Sequence, residues 1–487
     1  MGLFKHDARI FKFDILIEVA RKTFDGTLTD EAMQRYIMAL APGNKSQFRC
    51  CVYKEREILR QRARLSMGRM ANDEIEHNPK QIVQVINAAC DGCTIRKIQV
   101  TDNCRKCMAK NCMAACKFNA ISMSDHRAII DYDKCKECGA CARSCPYNAI
   151  VVTERPCKAS CPVDAIGYDE DGIAVIDEEK CINCGRCQAA CPFGAIEDIS
   201  WIVPVCELLK MQTKMIAVIA PSIQGQFSNA TIGQIKQSIK TLGFDMVVEV
   251  AVGADIVAAF EQKELREHIA LGKPMTTSCC PAFVNMAKIH FPQVYENNVS
   301  TMVSPMMATA SLLKEKYPDY GVVFIGPCLA KKQEAMEEFT SVDYVLTFEE
   351  LAAMLIAKRI HPSELESLEE DFTTNFARNF AQGGGVSKAV AQVNSERGDE
   401  AFTSFYADGA IECKKQLTLL KFNKFPYQIL EGMCCDGGCV NGPCTIEDAS
   451  VVKGRMAKEN MGRKLTIEEA LKYYDIDGKG IELHRKK

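Results

Sequence analysis

Histidine is scarce, with seven in 487 residues, which leaves little room for metal sites built on imidazole. A surplus of one charge is also missing. Sixty Lys and Arg oppose 63 Asp and Glu, a net of -3, so no global basic field invites nucleic acid. No window holds about 18 uninterrupted apolar residues, so no membrane span is expected. The opening MGLFKHDARIFKFD lacks the apolar core of a secretory signal, a twin arginine, and a Ser or Thr placed for myristoylation. A cytoplasmic location is the expectation. What is present is an apolar content of 47% and a charged content of 25%. These are the proportions of an ordinary globular chain, long enough for roughly two to four domains.

The outlier is cysteine, with 27 residues, most of them two or three positions apart. Disulfides are the bland alternative, but CxxCxxCxxxCP repeats in a long chain without a secretory signal suit reduced thiolates on iron-sulfur clusters far better.

Residues 1–88 read as an N-terminal helical region, with Phe13, Ile15, Leu16, Val19 and Ala20 at helical spacing and a stop around Ala41, Pro42 and Gly43. A basic helix follows, carrying Lys54, Arg56, Arg60, Arg62, Arg64 and Arg69. It suits either an acidic electron carrier or, more simply, a solvated face. Cys50 and Cys51 receive no role.

Residues 89–200 read as an α+β ferredoxin-like domain with several clusters and an internal repeat. Cys135, Cys138, Cys141 and Cys145 before Pro146 match the bacterial ferredoxin run, and Cys181, Cys184, Cys187 and Cys191 before Pro192 repeat it. In such pairs the fourth cysteine ligates the other cluster. Cys191 is therefore expected to join Cys135, Cys138 and Cys141, and Cys145 to join Cys181, Cys184 and Cys187. Zinc is the weaker alternative, since zinc ribbons lack the third cysteine and the Cys-Pro ending. Cys104, Cys107, Cys112 and Cys116 form a looser run, while Cys157 and Cys161 look like the end of a run whose opening CxxC is missing. The same exchange assigns Cys161 to Cys104, Cys107 and Cys112. Cys116 and Cys157 then take Cys90 and Cys93, unless those two are a free thiol pair. Two 4Fe-4S clusters follow directly, and a third and fourth by this extension.

From residue 201 to 450 strands and helices alternate. MIAVIA from Met215, MVVEV from Met246, VVFIG from Val322 and YVLT from Tyr344 read as strands, and Ile232–Leu242, Ala254–Ala270 and FEELAAMLIAKRI as helices. The expected fold is a two-lobed α/β domain, mixed sheets flanked by helices, with a helical tail over 451–487. Ligands in such domains sit beyond the carboxyl ends of strands, where Cys328 falls.

Three cysteine segments stand in this α/β region: TSCCPAF at Thr277 to Phe283, GPCLAKKQEA at Gly326 to Ala335, and EGMCCDGGCVNGPC at Glu431 to Cys444. In order and spacing they resemble the three signature segments of the [FeFe]-hydrogenases, and NFAQGGGVSKAV at Asn379 to Val390 is similar to that family's Gly-rich turn before a helix. The resemblance covers roughly residues 205–450, and a ferredoxin module upstream is a habit of the same family.

The resemblance implies an H-cluster, a 4Fe-4S cubane joined to a diiron subsite with CO, CN and a bridging dithiolate. Cys280, Cys328 and Cys435 would be ligands, and Cys439 would bridge the two parts. Cys279 would pass the proton, Lys331 would hold a cyanide, Glu334 completes PCxxKxxE, and Met433 would pack beside the diiron unit. Glu261 and Glu264, at i and i+3 on one helix face, match the family's proton-path glutamates, with Ser300 as the link between them. On the residues alone, Gly437 and Gly438 suit a loop tight enough to bring Cys435 and Cys439 together. Cys434 and Cys444 read as small buried hydrophobes.

The chain departs from the best-known branch at Ser304 to Met307 (SPMM for SPQQ), at Gly326 for Met, at Phe283 for Trp, and at Asn441 to Cys444 for a glycine run. The implied activity is reversible formation of H2 from protons and electrons. Electrons would pass through accessory clusters to or from a ferredoxin-like carrier in a monomer or loose oligomer that depends on dedicated maturation proteins. The rivals are a non-catalytic hydrogenase-like iron-sulfur protein, an H2 sensor, and a polyferredoxin relay with a bare cubane on the same four thiolates.

Overall fold

The computed structural model describes residues 7–72, 81–90, 93, 96–337, 340–475 and 483–485. Two parallel sheets organise the second half of the chain. The first runs in the order Met246–Glu249, Met215–Ile219, Gly321–Gly326, Tyr344–Thr347. All five residues of Met215–Ile219 are buried, as befits a parallel strand covered on both faces. The returning helices start where the sequence caps them. Thr231 with Gln234, and Thr347 with Glu350, exchange side-chain and backbone hydrogen bonds. The second sheet orders Met275–Thr276, Ile429–Met433 and Ser404–Asp408. The α/β architecture is as expected, but these sheets are not mixed, because strand–helix–strand crossovers leave parallel neighbours. Among the described residues, antiparallel ladders are confined to the cysteine-rich part.

That part is built as two units. Ile98–Val100 pairs with Ile150–Val152 around the hairpin Ile121–Met123 and Ala128–Ile130. The second unit holds the pairs Ile166–Tyr168 with Ala174–Ile176 and Val83–Val85 with Ile196–Asp198. The strand at Val83–Val85 corrects the reading of 1–88 as helical throughout. Within the first unit Asn111–Ala114 packs on Ala140–Ser144, and within the second Pro156–Ser160 packs on Arg186–Ala190.

The N-terminal helices are fused to the α/β core. Asp7–Asp25 packs on Phe348–Ala357 and Ile202–Lys210, and its stripe from Phe13 to Ala20 shares one core with Met215–Ile219. The basic helix, Val52–Ser66, spends arginines internally. Arg62 is buried 2.8 Å from Glu197, and Arg56 donates to the carbonyls of Ala41 and Gly43. At Arg62 neither a docking face nor a solvated face applies. At the other end Ala449–Glu459 and Ile467–Tyr474 are helical, but Leu483 to Arg485 run extended beside Thr301 to Val303. No described helix is long and apolar enough to cross a membrane.

Candidate metal centre

Cys280, Cys328, Cys435 and Cys439 line one cavity between the two sheets, together with Cys279, Lys331 and Met433. Each thiol lies past the carboxyl end of a strand. Cys280 follows Met275–Thr276 and caps Pro281–His290, with Pro281 in the first turn. Cys328 follows Gly321–Gly326, and Cys435 follows Ile429–Met433. The loop then turns through Gly437 and Gly438 at φ +79 and +96. A Cβ at Gly438 would sit 2.6 Å from the Ala381 carbonyl oxygen, so both the conformation and the space demand glycine. Phe283, where a tryptophan is usual, lies against Gly432.

Burial pushes Cys328 up to about 12 and raises Cys435 and Cys439 well above the ordinary thiol range, and their mutual charges add to the effect. Cys280 is the exception. A hydrogen bond from the Cys434 thiol holds it down at about 6 against burial. Cys434 is buried in the apolar cluster that also holds Cys413, as expected of a small buried side chain. Four thiols gathered on one cavity repel one another as thiolates, and Lys331 is the cation on their wall. A multi-iron centre, positively charged and soft toward sulfur, fits this donor set. A second feature agrees: Ser222 Oγ lies on the same wall, fully buried and with no hydrogen-bond partner among the described residues. Sequence reasoning missed Ser222, although it directly follows the strand Met215–Ile219 and Pro221, at the edge where ligands bind. Among the described residues no three Cys, His, Asp or Glu close to the spacing of a single metal ion.

Lys331 Nζ donates to Glu334 Oε2 at 2.6 Å. Burial pushes Glu334 up, but Lys331 and Arg485 outweigh it and hold the carboxyl below its ordinary range. Glu431 anchors the Gly-rich turn by accepting from Gly384 N at 3.0 Å, Ser387 N at 2.8 Å and Ser387 Oγ at 2.5 Å.

Behind Cys279 stands Glu261, fully buried, whose Oε1 accepts from Ser278 N at 3.0 Å and Ser278 Oγ at 3.2 Å. Its Oε2 is buried without a described partner. Ser300 Oγ donates to Glu264 Oε2 at 2.6 Å, and Thr301 N donates to the same carboxylate at 2.9 Å. Ser300 thus serves Glu264, while Glu261 is bound through Ser278. Burial first, then the neighbouring Glu264 charge, raises Glu261 to about 8. The unfolded chain ionises this group near 4.5, so its burial costs stability increasingly from that pH up to about 8 and nothing below it. Glu261→Gln should therefore be more stable than the parent by ~3 kcal/mol at pH 7, a gap that closes toward pH 4.5. Anaerobic denaturant midpoints across that range check this; a gap independent of pH contradicts it.

The accessory cysteines show a fourfold repeat in the backbone. Three residues after Cys116, Cys145, Cys161 and Cys191, the chain turns left-handed at Asn119, Asn148, Asp164 and Gly194. The next amide, of Ala120, Ala149, Ala165 or Ala195, then donates to the cysteine Sγ at 3.3 to 3.4 Å. The groupings differ from those expected. Cys116 lines a small cavity with Cys135, Cys138 and Cys141. Cys161 neighbours Cys181, Cys184 and Cys187. Cys191 neighbours Cys90, Cys93 and Cys157, and Cys145 neighbours Cys104 and Cys112. The fourth cysteine of each run sits with the other run of its own structural unit, because that unit's short helices pack together and bring its two runs face to face. Cys184 also lines the main cavity, which puts the second unit next to it.

Comparison with known proteins agrees with this geometry. Residues 213–443 match the family described as iron only hydrogenase large subunit, C-terminal domain. Residues 128–151 match a 4Fe-4S binding domain, and 151–202 the LdpA Fe-S cluster-binding domain. The chain is 27% identical over 287 residues to iron hydrogenase 1 of Clostridium pasteurianum, covering 47% of this chain and 49% of that protein. It is 28% identical over 301 residues to the periplasmic [Fe] hydrogenase large subunit of Nitratidesulfovibrio vulgaris, covering 50% and 71%. It is 25% identical over 257 residues to the nuclear prelamin A recognition factor of Homo sapiens, covering 42% and 56%. The chain spans about half the length of the Clostridium and human relatives.

Proposed function

The chain is an [FeFe]-hydrogenase-like protein with 4Fe-4S binding segments, and from that premise we propose that it interconverts protons, electrons and dihydrogen. One observation carries the reading. Four thiols from two sheets converge on a single cavity whose wall also carries a thiol that is not needed as a ligand, Cys279, and two polar donors, Lys331 and Ser222. Cys280, Cys328 and Cys435 would hold a cubane, with Cys439 bridging it to a diiron unit. When bound, that centre supplies the redox and hydrogen-activating chemistry.

The protein supplies the rest. Lys331 Nζ and Ser222 Oγ are placed to donate hydrogen bonds to polar ligands of the centre. Cys279 Sγ hands a proton to, or takes one from, the cavity, and Glu261 Oε2 is the oxygen free to exchange it. Ser300 and Glu264 continue the path toward the surface. The apolar wall, including Phe324, Phe380 and Met433, excludes water.

Four accessory 4Fe-4S clusters would use the four groups, with Cys107 completing Cys104, Cys112 and Cys145. The second unit adjoins the cavity, so the first is the outer one. Its surface exposes Arg105, Lys106, Lys110, Lys117, Lys136 and Lys134, the last paired with Asp131, as well as Cys138 and Met108, which is 97% exposed. That surface suits an acidic, ferredoxin-like carrier. Dedicated maturation proteins would install the diiron unit.

Infrared spectra of protein matured anaerobically test the reading. Sharp carbonyl and cyanide bands are expected. Their absence in fully cubane-loaded protein would leave a non-catalytic iron-sulfur protein, the reading that the similarity to nuclear prelamin A recognition factor favours.

A further inference from the structure

The segment Leu483 to Arg485 is far from every cysteine in sequence, yet it closes over the proton-handling side of the cavity. Arg485 N donates to Thr301 O at 2.6 Å, and Val303 N to Leu483 O at 2.8 Å. Met302 and His484 form an antiparallel bridge. Thr301 Oγ1 and His484 Nδ1 are 2.8 Å apart. Leu483 is buried in the same apolar cluster as Met302, Cys279 and Met433. The loop it covers is the one that holds Glu264, through Ser300 Oγ and Thr301 N. Its other edge is fixed to the second sheet, with Ser300 N donating to Thr276 O at 2.9 Å. The loop is thus clamped from both sides, and one clamp is the C-terminal segment.

The Arg485 side chain goes further in. Its Nη2 donates to Ser278 O at 3.0 Å and to Glu334 Oε1 at 3.1 Å. Ser278 immediately precedes Cys279 and binds Glu261. Glu334 is the partner of Lys331. One guanidinium nitrogen therefore joins the loop bearing the proton-passing thiol to the ion pair that orients the lysine on the cavity wall. A fixed donor fork of this kind orders two separate pieces of chain at once.

Resting on the proposed reading of the site, we propose that Arg485 is a positioning residue of this centre: it locks the Cys279 loop to the Lys331–Glu334 pair and, with His484, holds the Ser300 loop that carries the proton path. Removing it leaves Glu334 with Lys331 as its one cation among the described residues, so the ammonium is drawn toward the carboxylate and away from the cavity. It also releases the Ser278 carbonyl.

The test compares the parent with Arg485→Ala, Arg485→Lys and a chain ending at Glu482, all anaerobic. Two readouts other than turnover are taken: cyanide band positions in matured protein, and amide hydrogen exchange of residues 277–280 and 299–303 in cubane-loaded protein without the diiron unit. Arg485→Ala should shift a cyanide band, speed exchange in both segments at least 10-fold, and lower turnover about 10-fold. Arg485→Lys should restore both readouts in part, and the truncated chain should exceed Arg485→Ala in exchange of 299–303. Parent-like exchange in 277–280 and unshifted cyanide bands in Arg485→Ala would overturn the proposal. If the parent itself shows no cyanide bands, the functional reading fails instead, and amide exchange alone still decides whether Arg485 orders the two segments.

Discussion

Cys279→Ala should retain the carbonyl and cyanide bands while losing turnover by about 10²- to 10⁴-fold, the range typical of a removed general acid or base. The thiol stands on the cavity wall beside the four candidate ligands, yet the resemblance gives it no ligand role, so the centre should assemble without it. Burial, then the Glu261 charge, pushes Cys279 well above the ordinary thiol range. It therefore holds a proton rather than a negative charge, and hands that proton on only where a neighbour can replace it. Glu261, raised to about 8, is suited to that exchange. Cys279→Ser keeps a hydroxyl in place but a less acidic one, so it should recover little. The check is H2 production and H2 oxidation at matched loading of the centre, confirmed by infrared band intensity. Turnover within a factor of a few of the parent would remove Cys279 from the path.

The four candidate ligands of the main cavity were legible because thiolate motifs are local. TSCCP, PCxxK and the run around Gly438 each announce themselves within a dozen residues, and the strands leading into them are unbroken apolar runs. What was not legible depends on pieces of chain meeting in space. The fourth-ligand exchange among the accessory cysteines could be posed from spacing, but its partners were misassigned. Nothing in the spacing shows that Ile98–Val100 pairs with Ile150–Val152 and encloses one unit. Arg485 stands 151 positions from Glu334 in a segment without motif or period. Glu261 and Glu264 share a helix face as expected, but the sequence could not say that Ser278 serves one and Ser300 the other.

The adjacent lysines show the same limit most sharply, and they carry the largest expected effect on stability. The motif PCxxKxxE singles out Lys331, which lines the cavity, but nothing in PCLAKK shows that Lys332 points the other way into a buried ionic network. Lys332 Nζ lies 2.7 Å from Asp198 Oδ2, 2.7 Å from Ile199 O and 3.2 Å from Glu350 Oε1. Lys12 Nζ takes the other Asp198 oxygen at 2.7 Å and Glu349 Oε2 at 2.9 Å. Burial pushes Asp198 up, but the two lysines outweigh it and hold it well below the carboxylate range. One carboxylate thus ties the N-terminal helix, the end of the cysteine-rich part and the α/β core together. Lys332→Met keeps the apolar stem and removes the charge, leaving buried Asp198 with Lys12 and taking from buried Glu350 the cation it pairs with. The expected cost is about 3–5 kcal/mol, that of breaking a buried ion pair from one side. Lys332→Met with Asp198→Asn should be less harmful than the single change, because the stranded negative charge goes too. Anaerobic denaturant midpoints of the parent, both single variants and the double variant measure the coupling. A loss below ~1 kcal/mol for Lys332→Met, in the range of an exposed pair, would show that the network is a solvated accessory rather than the joint between the cysteine-rich part and the α/β core.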